Sequence, residues 1–254
     1  CQGLARSGVL TRITGAPLRV GHADARELAF LAYSRRVPHA PGTSEHTVDR
    51  MLELLAPLGI DPPADPDMRL HLPASLDHWP TRTLGLAPGQ RYALLAPTSR
   101  WPGKRWPADR FAEVARRLLD SPLGLAAIAF VGTADEQPQI APMLELSQRD
   151  PRVINLAGKT SIAQLMALVR DASLVIANDS AAVHMAVGFN RPMVALFGPT
   201  DIRRVGPYRR DADVIQHIGP ADRLDHKDTA HGRTLMERIT TDEVVTRATR
   251  ALAR

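Results

Sequence analysis

Residues 174–188 read LVIANDSAAVHMAVG, which has the pattern of a strand, a polar turn and a helix in immediate succession. The apolar run at 174–177 is typical of a buried strand, and the following residues predict a helix over 181–188. The same alternation continues outward on both sides. Further strands are predicted over 91–96, 125–132, 153–156 and 193–197, with helices over 108–119, 136–147 and 161–169. Strands and helices that alternate over short connections predict a parallel, doubly wound α/β sheet.

The part of the chain before this alternation is organised differently. It contains predicted helices over 2–10 and 45–58, short predicted strands over 18–21 and 68–72, and a proline-rich turn over 61–67. We therefore expect a first domain over residues 1–86 and a second domain over 87–235. An amphipathic helix over 241–254, with Thr241 as its cap, is expected to pack the segment 236–254 back on the first domain.

Composition and charge exclude several classes of protein. The 254 residues are 44% hydrophobic and 23% charged, as in ordinary globular proteins, and no apolar run approaches the roughly 20 residues of a membrane-spanning helix. The one cysteine, Cys1, excludes an internal disulfide framework and a cysteine-rich zinc site. The net charge is +5, and all but three of the 32 basic residues are arginines, which suit an anionic partner. Because aromatic residues make up 4% and the arginines are dispersed, we do not expect nucleic acid to be that partner.

The loops after the predicted strands are the places to look for chemistry, because ligands of such sheets bind beyond the carboxyl ends of the strands. The first loop, 97–107, reads PTSRWPGKRWP and leads into a helix. Its Thr98 and Ser99 hydroxyls, the Lys104 ammonium and the N–H groups of the helix start can together hold a pyrophosphate. The alternative is a proline-rich surface loop whose tryptophans merely pack.

The second loop, 178–184, reads NDSAAVH and opens the helix of the first motif. Asp179 or Ser180 is the predicted N-cap, and His184 shares a helix face with Ser180. This loop either directs a helix N-terminus at a phosphate, with Asp179 fixing loop or ligand hydroxyls, or is an ordinary capped helix.

The third loop, 197–201, reads FGPTD and follows the last predicted strand. Its Gly-Pro step predicts a tight turn, after which Thr200 and Asp201 present oxygen ligands or caps. Each loop alone has a structural explanation, but three of them on one sheet edge favour a binding site.

Other familiar motifs fail. The stretch AGKT at 157–160 resembles the end of a phosphate-binding P-loop, but Val153 stands where that motif needs glycine. The glycine fingerprint of dinucleotide-binding folds and clustered metal ligands are also missing from the sequence. Three histidines are expected to be solvated in or beside the polar loop 218–233: His217, His226 and His231.

The chain resembles the ADP-heptose:lipopolysaccharide heptosyltransferase family, glycosyltransferase family 9, in the series TSRWPGKRWP, VGTADE, INLAGKTSIAQLMALVRDASLVIANDSAAVHMAVGF, RPMVALFGPTD and VGPY. The resemblance covers most of the chain. It implies a GT-B type fold of two Rossmann-like, doubly wound domains, the N-terminal one incomplete. It also implies inverting transfer of heptose from ADP-L-glycero-D-manno-heptose to the lipopolysaccharide inner core, either Kdo-lipid A or a heptosyl acceptor, without a metal or other cofactor.

The resemblance also implies roles for individual residues. Lys104 is implied as the catalytic group that stabilises the leaving diphosphate, and Arg6 and Arg26 as residues that face the acidic acceptor, lipid A bearing Kdo sugars. A carboxylate general base is implied in the N-terminal domain, and we expect it upstream of Cys1 because the chain starts inside that domain. The implied donor-binding residues are Thr98, Ser99, Lys104, Glu136, Asp179, Ser180, Ala181, His184 and Thr200.

Two departures from the family pattern leave other functions open. The usual Gly-Pro of the helix-start loop is replaced by Ala181 and Ala182, and the polar loop 218–233 lacks the cysteines that many relatives carry there. The alternatives are transfer or epimerisation with another nucleotide sugar, and a non-catalytic module that binds nucleotide sugars. The expected location is the cytoplasm, with basic residues able to hold the protein reversibly at the inner membrane.

Overall fold

The computed structural model describes residues 3–38 and 45–253. The chain divides into two compact units, Cys1–Asp67 and Met68–Arg254. The expectations that concern Cys1 and a helix start at Gln2 fall outside the described residues.

The first unit contains a small parallel sheet and short helices. Its elements are α1 (Ala5–Ile13), β1 (Val20–His22), β2 (Arg35–Val37), α2 (Thr47–Leu52) and the 3-10 helices Ala29–Ala32 and Glu53–Leu58. Strands β1 and β2 pair in parallel. The helix predicted over 45–58 changes from α to 3-10 geometry at Glu53. Pro57 explains this change, because a proline ring clashes with the carbonyl four residues earlier in an α-helix.

The second unit is built on a parallel sheet of six strands within the described residues. The strands are β3 (Arg91–Ala96), β4 (Leu125–Phe130), β5 (Val153–Asn155), β6 (Leu174–Asn178), β7 (Met193–Leu196) and β8 (Val214–Ile215). They lie in the order β5-β4-β3-β6-β7-β8, and every neighbouring pair is parallel. The direction of winding therefore reverses between β3 and β6, which is the switch point of a doubly wound sheet.

Helices cover both faces of this sheet, as the alternating pattern predicted. They are α3 (Trp79–Thr83), α4 (Ala108–Leu119), α5 (Ala141–Arg149), α6 (Ile162–Asp171), α7 (Ala181–Gly188), α8 (Ile202–Val205), α9 (Thr229–Glu237) and α10 (Thr241–Leu252). Successive side chains of β3 enter opposite cores: Ala93 and Leu95 join the core that includes α4 and α10, whereas Tyr92 and Leu94 join the core that includes α6 and α7.

Prolines and capping residues set the helix boundaries that differ from the predicted ones. The helix predicted over 136–147 forms as the 3-10 helix Ala134–Ile140 followed by α5, because Pro138 lacks the N–H that an α-helix interior requires. The helix α6 begins after Ser161, whose Oγ caps it by accepting a hydrogen bond from the Gln164 N–H. The cap of α10 is Thr240 rather than Thr241, and Thr240 Oγ1 accepts a hydrogen bond from the Glu243 N–H.

The segment before β3 differs from the sequence expectation. The strand predicted over 68–72 does not form; Leu70 instead makes a single described backbone bond, from its N–H to the Gly188 carbonyl at 3.0 Å. A Cβ at Gly188 would lie 2.5 Å from Leu70 Cγ, so glycine is required for this contact. Leu84 is buried in the core beside α6. Residues 68–86 therefore belong to the second compact unit, not to the first domain as expected.

The C-terminal part also differs from the expectation. Helix α10 was expected on the first domain, but its buried residues Val244, Ala248 and Ala251 lie in the core of the second unit with α4. Part of the predicted polar loop 218–233 is helical, because α9 begins at Thr229 with Asp228 as its cap. The helices α4 and α10 have 12 residues each, and no described helix combines the length and apolar character needed to cross a membrane.

Candidate functional site

A cavity of about 560 Å³ opens at the carboxyl ends of β3, β4, β5 and β6. It lies across the switch point of the sheet, where ligands of doubly wound folds bind, and its volume suits a small organic ligand. Four loops form its wall, each following one strand. The polar and charged lining residues are Thr98, Ser99, Arg100, Thr133, Glu136, Thr160, Ser161, Asp179 and Ser180.

The loop after β3 is fixed to β6 by a buried asparagine. Asn178, with no exposed surface, donates from Nδ2 to the Pro97 carbonyl at 2.7 Å and accepts the Trp106 N–H at 3.1 Å. These bonds hold both ends of the loop that carries Thr98 and Ser99, which are 7% and 6% exposed. Sequence reasoning missed Asn178, although its position at the end of a buried strand is a signal that could have identified it.

Lys104 lies on a short 3-10 helix, Pro102–Lys104, that packs against α9. Gly103 and Gly232 make this contact, since a Cβ on Gly232 would lie 2.7 Å from the Gly103 carbonyl oxygen. Two glycines thus let two backbones meet, and their contact places the lysine beside the cavity wall.

Lys104 and Asp179 form the central charged pair of the site. Lys104 Nζ donates to Asp179 Oδ2 at 2.6 Å, and the two side chains are 15% and 10% exposed. Thr200 Oγ1 donates to the same oxygen, also at 2.6 Å. The partial burial strengthens both interactions relative to those of exposed pairs.

Helix α7 begins at the cavity with an unpaired serine hydroxyl. Ser180 is at the N-cap position, but its side chain makes no capping bond. Its Oγ is buried and has no hydrogen-bond partner among the described residues. The first N–H groups of a helix lack intrahelical partners and carry partial positive charge, so this end of the cavity favours an anion.

The loop after β4 brings a second carboxylate to the wall. The Thr133 N–H donates to Glu136 Oε2 at 2.9 Å in a capping box, which orients the Glu136 side chain. Gly132 lets this loop approach the loop after β3, because a Cβ there would lie 2.8 Å from Thr98 Cγ2. Burial lowers the pKa of the Arg105 guanidinium. The negative charge of Glu136 opposes this shift, and the positive charge of Arg233 adds to it.

The structure brings together most of the predicted site residues of the second unit. Six of the nine implied donor-binding residues line the cavity: Thr98, Ser99, Glu136, Asp179, Ser180 and Ala181. Lys104 contacts the wall through Asp179. Thr200 lies off the wall because its hydroxyl is directed at Asp179, and His184 is on an exposed part of α7. Arg6 and Arg26 are exposed in the first unit.

Part of the wall comes from a loop that sequence reasoning did not use. Thr160, Ser161, Ile162 and Leu165 line the cavity from the start of α6. Ligands of such sheets bind beyond the carboxyl ends of the strands, and this applies to β5 as well. Because β5 has only three residues, its sequence signal is weak and the loop after it was overlooked.

Among the described residues, no group of three or more His, Cys, Asp and Glu side chains could hold a metal ion.

Comparisons with known proteins point to one family. The sequence model of glycosyltransferase family 9 (heptosyltransferase) matches residues 1–232. Lipopolysaccharide heptosyltransferase 2 of Escherichia coli K12 is 31% identical over 151 residues, which are 59% of this chain and 40% of that protein. Lipooligosaccharide heptosyltransferase 2 of Haemophilus influenzae is 31% identical over 137 residues, 53% of this chain and 36% of that protein. The matched part is thus well under half of these two relatives.

Solved structures confirm the expected GT-B type of fold. The structure of E. coli ADP-heptose LPS heptosyltransferase II superimposes with a TM-score of 0.77 at 22% identity, covering 99% of this chain and 74% of that one. E. coli heptosyltransferase WaaC, solved with ADP-2-deoxy-2-fluoro heptose, gives a TM-score of 0.66 at 24% identity, covering 96% and 69%.

Proposed function

The chain belongs to glycosyltransferase family 9, and from this membership we propose that it transfers heptose from ADP-L-glycero-D-manno-heptose to the lipopolysaccharide inner core. One observation supports this above the others. A half-buried lysine–aspartate pair and an uncapped helix N-terminus lie together at the switch point of the sheet. This combination suits the diphosphate of a nucleotide sugar, because both groups stabilise anionic oxygens.

We propose that the donor lies along the cavity with its diphosphate at the β3 and β6 loops. There Thr98, Ser99 and Ser180 offer hydroxyls, and Lys104 offers an ammonium group. Neighbouring strands are about 4.8 Å apart, so the wall from β5 to β6 is long enough for a nucleoside diphosphate. The nucleoside then lies toward β4 and β5, with Glu136 placed to accept hydrogen bonds from ribose hydroxyls.

The reaction requires charge stabilisation on one side and a base on the other. As the bond to the sugar breaks, negative charge grows on the ADP leaving group, where Lys104 and the N-terminus of α7 stabilise it. Deprotonation of the acceptor hydroxyl is assigned to a carboxylate outside the second unit. Asp179 is bonded to Lys104 and Thr200, and Glu136 is assigned to the ribose, so the base is not assigned to either of them.

The acceptor side is assigned to the first unit. Arg6 on α1 and the exposed Arg26 are proposed to face the anionic acceptor, because guanidinium groups bind carboxylate and phosphate in a bidentate manner. The proposed place of action is the cytoplasmic face of the inner membrane, where exposed arginines can attract the protein to anionic lipid.

The decisive experiment measures donor binding and transfer separately. Calorimetry should show that the chain binds ADP and ADP-heptose more tightly than UDP or GDP. Mass spectrometry of a reaction of the full-length protein, which includes the expected base, with ADP-heptose and either Kdo-lipid A or its heptosylated form should show a heptosylated product. Binding without product would favour a nucleotide-sugar-binding module, product from another donor would change the substrate, and absence of ADP binding would refute the proposal.

A further inference from the structure

The loop Gly198–Thr200 lies behind the Lys104–Asp179 pair and is fixed from two sides. Gln216, which directly follows β8, donates from Nε2 to the Gly198 and Thr200 carbonyls, both at 2.7 Å. On the other side, a Cβ at Gly198 would lie 2.7 Å from Met236 Sδ, so the loop is in close contact with α9. The position of the Thr200 backbone is thereby set by side chains that do not touch the cavity.

Thr200 transmits this position to the charged pair. The Thr200 side chain donates to Asp179 Oδ2, the oxygen that also accepts from Lys104 Nζ. Thr200 is 8% exposed, so water competes weakly for this bond. Hydrogen bonds to a carboxylate in such surroundings are among the strong ones in proteins.

We propose that Thr200 and Gln216 are positioning residues that determine how tightly Asp179 holds Lys104. The inference rests on the proposed function, in which Lys104 meets the diphosphate of the donor. The Thr200 hydroxyl takes up part of the negative charge of Asp179, so the Lys104 ammonium is held in place but can exchange Asp179 for a diphosphate oxygen. Without that hydroxyl, Lys104 is the main partner of Asp179, and a diphosphate must compete with a tighter pair.

The first test needs no ligand. The chain has three lysines, Lys104, Lys159 and Lys227, so mass spectrometry after limiting acetylation gives the rate at Lys104 relative to two internal references. Thr200→Val keeps the shape of Thr200 without the hydroxyl, and Gln216→Glu removes both donated bonds. We expect both variants to slow acetylation of Lys104 by about threefold to tenfold relative to the references.

Two control variants separate positioning from general loosening. Thr200→Ser retains the hydroxyl and should restore the wild-type rate at Lys104. Gln137→Glu makes the same chemical change at a glutamine whose Nε2 donates to the Ala157 carbonyl at 3.2 Å, on the other side of the cavity. It should leave the relative rate at Lys104 unchanged.

The second test measures whether Thr200 and Gln216 affect ligand binding through the same interaction. Calorimetry with ADP should show about fivefold weaker binding for Thr200→Val and Gln216→Glu, and no further loss when the two are combined, because coupled changes are not additive. In a Lys104→Met background, neither change should weaken ADP binding further.

Either test can overturn the inference. An unchanged or faster relative acetylation of Lys104 in both variants would do so, as would equal losses of ADP affinity with and without Lys104. If the wild-type chain binds no ADP while the acetylation pattern follows expectation, the proposed function fails and the positioning roles stand. Circular dichroism and thermal unfolding verify that each variant is folded, and Gln216→Glu with Thr200→Ser provide the result if Thr200→Val does not fold.

Discussion

Two helices begin at the same cavity with a serine at the N-cap, and they differ in how that serine is used. At α6, Ser161 Oγ accepts the Gln164 N–H at 3.2 Å, and Gln164 Oε1 accepts the Ser161 N–H at 2.8 Å. At α7, Ser180 makes no side-chain capping bond, and its buried Oγ is unpaired among the described residues. One helix start is satisfied by its own chain, and the other is not.

The difference separates a structural helix end from one suited to a ligand. A capping box satisfies donors that folding would otherwise leave unpaired, and it lowers the positive character of that helix start. The start of α7 has no side-chain cap for such donors, and the Lys104–Asp179 pair lies beside it. We therefore expect anion binding to depend on α7 and folding stability to depend on the cap of α6.

The largest effect is expected from removing the cation on the α7 side. Lys104→Met should weaken ADP binding by about 100-fold, because it deletes a charge-assisted bond to the diphosphate and leaves Asp179 to repel it. Lys159→Met is the matched control, since Lys159 lies in the loop before α6 and its Nζ is bonded to the Asn155 carbonyl at the end of β5. Calorimetry should give an affinity within about twofold of wild type for that control. Equal losses for the two variants would remove the distinction between the two helix starts.

The next effect concerns the unpaired serine. Ser180→Ala should weaken ADP binding by about tenfold, the value of one hydrogen bond to a charged group. The free energy of unfolding should change by less than about 0.5 kcal/mol, because the folded protein loses no described bond. Calorimetry and urea denaturation on the same preparation provide the two quantities. A clear loss of stability with unchanged affinity would show that Ser180 is an ordinary cap.

The sequence predicts the two helix starts unequally well. The helix predicted over 161–169 starts within one residue of α6, because its signals are local, and the capping-box spacing of Ser161 and Gln164 is a further local signal. That Ser180 stays unpaired follows from contacts that no local pattern contains. Lys104 is 75 residues from Asp179 in sequence, and its position depends on the contact between Gly103 and Gly232.

The same distinction between local and long-range information applies to the fold. The strands β3, β4, β6 and β7 were predicted within two residues at each end, because long apolar runs are a strong local signal. The strand expected over 68–72 does not form, and Leu70 instead lies against Gly188, a contact between distant residues that no local pattern contains. The helix α9 was missed because the stretch TAHGRTLME has few apolar residues, and its Gly232 is needed for packing.

Removing the satisfied cap is expected to have the complementary effect. Ser161→Ala should lower the free energy of unfolding by about 1 kcal/mol, which is typical for loss of an N-cap hydroxyl. The affinity for ADP should remain within about twofold of wild type, because Ser161 is bonded within its own helix. Urea denaturation and calorimetry again supply both values. A Ser161→Ala variant that loses affinity more than stability would contradict the comparison.

The smallest effect concerns the loop that leads into α9, the helix that packs against the short segment carrying Lys104. Hydrogen bonds from the Arg238 guanidinium, and to a smaller extent from the Gly219 N–H, lower the pKa of Asp222 to about 2. A carboxyl group with a lowered pKa stabilises the folded state at pH values above its ordinary pKa. This contribution is lost as the pH falls through the lowered pKa of the folded state. Asp222→Asn should therefore be less stable than wild type at neutral pH, and the difference should close between about pH 4 and pH 2.

Urea denaturation at several pH values measures this difference, with Asp242→Asn as the control. Asp242 pairs with Arg117 but is 85% exposed, so its substitution should have little effect at any pH. A difference between wild type and Asp222→Asn that persists unchanged at pH 2 would show that the carboxylate charge is not what holds the loop. The contact between Gly103 and α9 would then depend on packing alone. The charge of this loop would have no part in placing Lys104 beside α7.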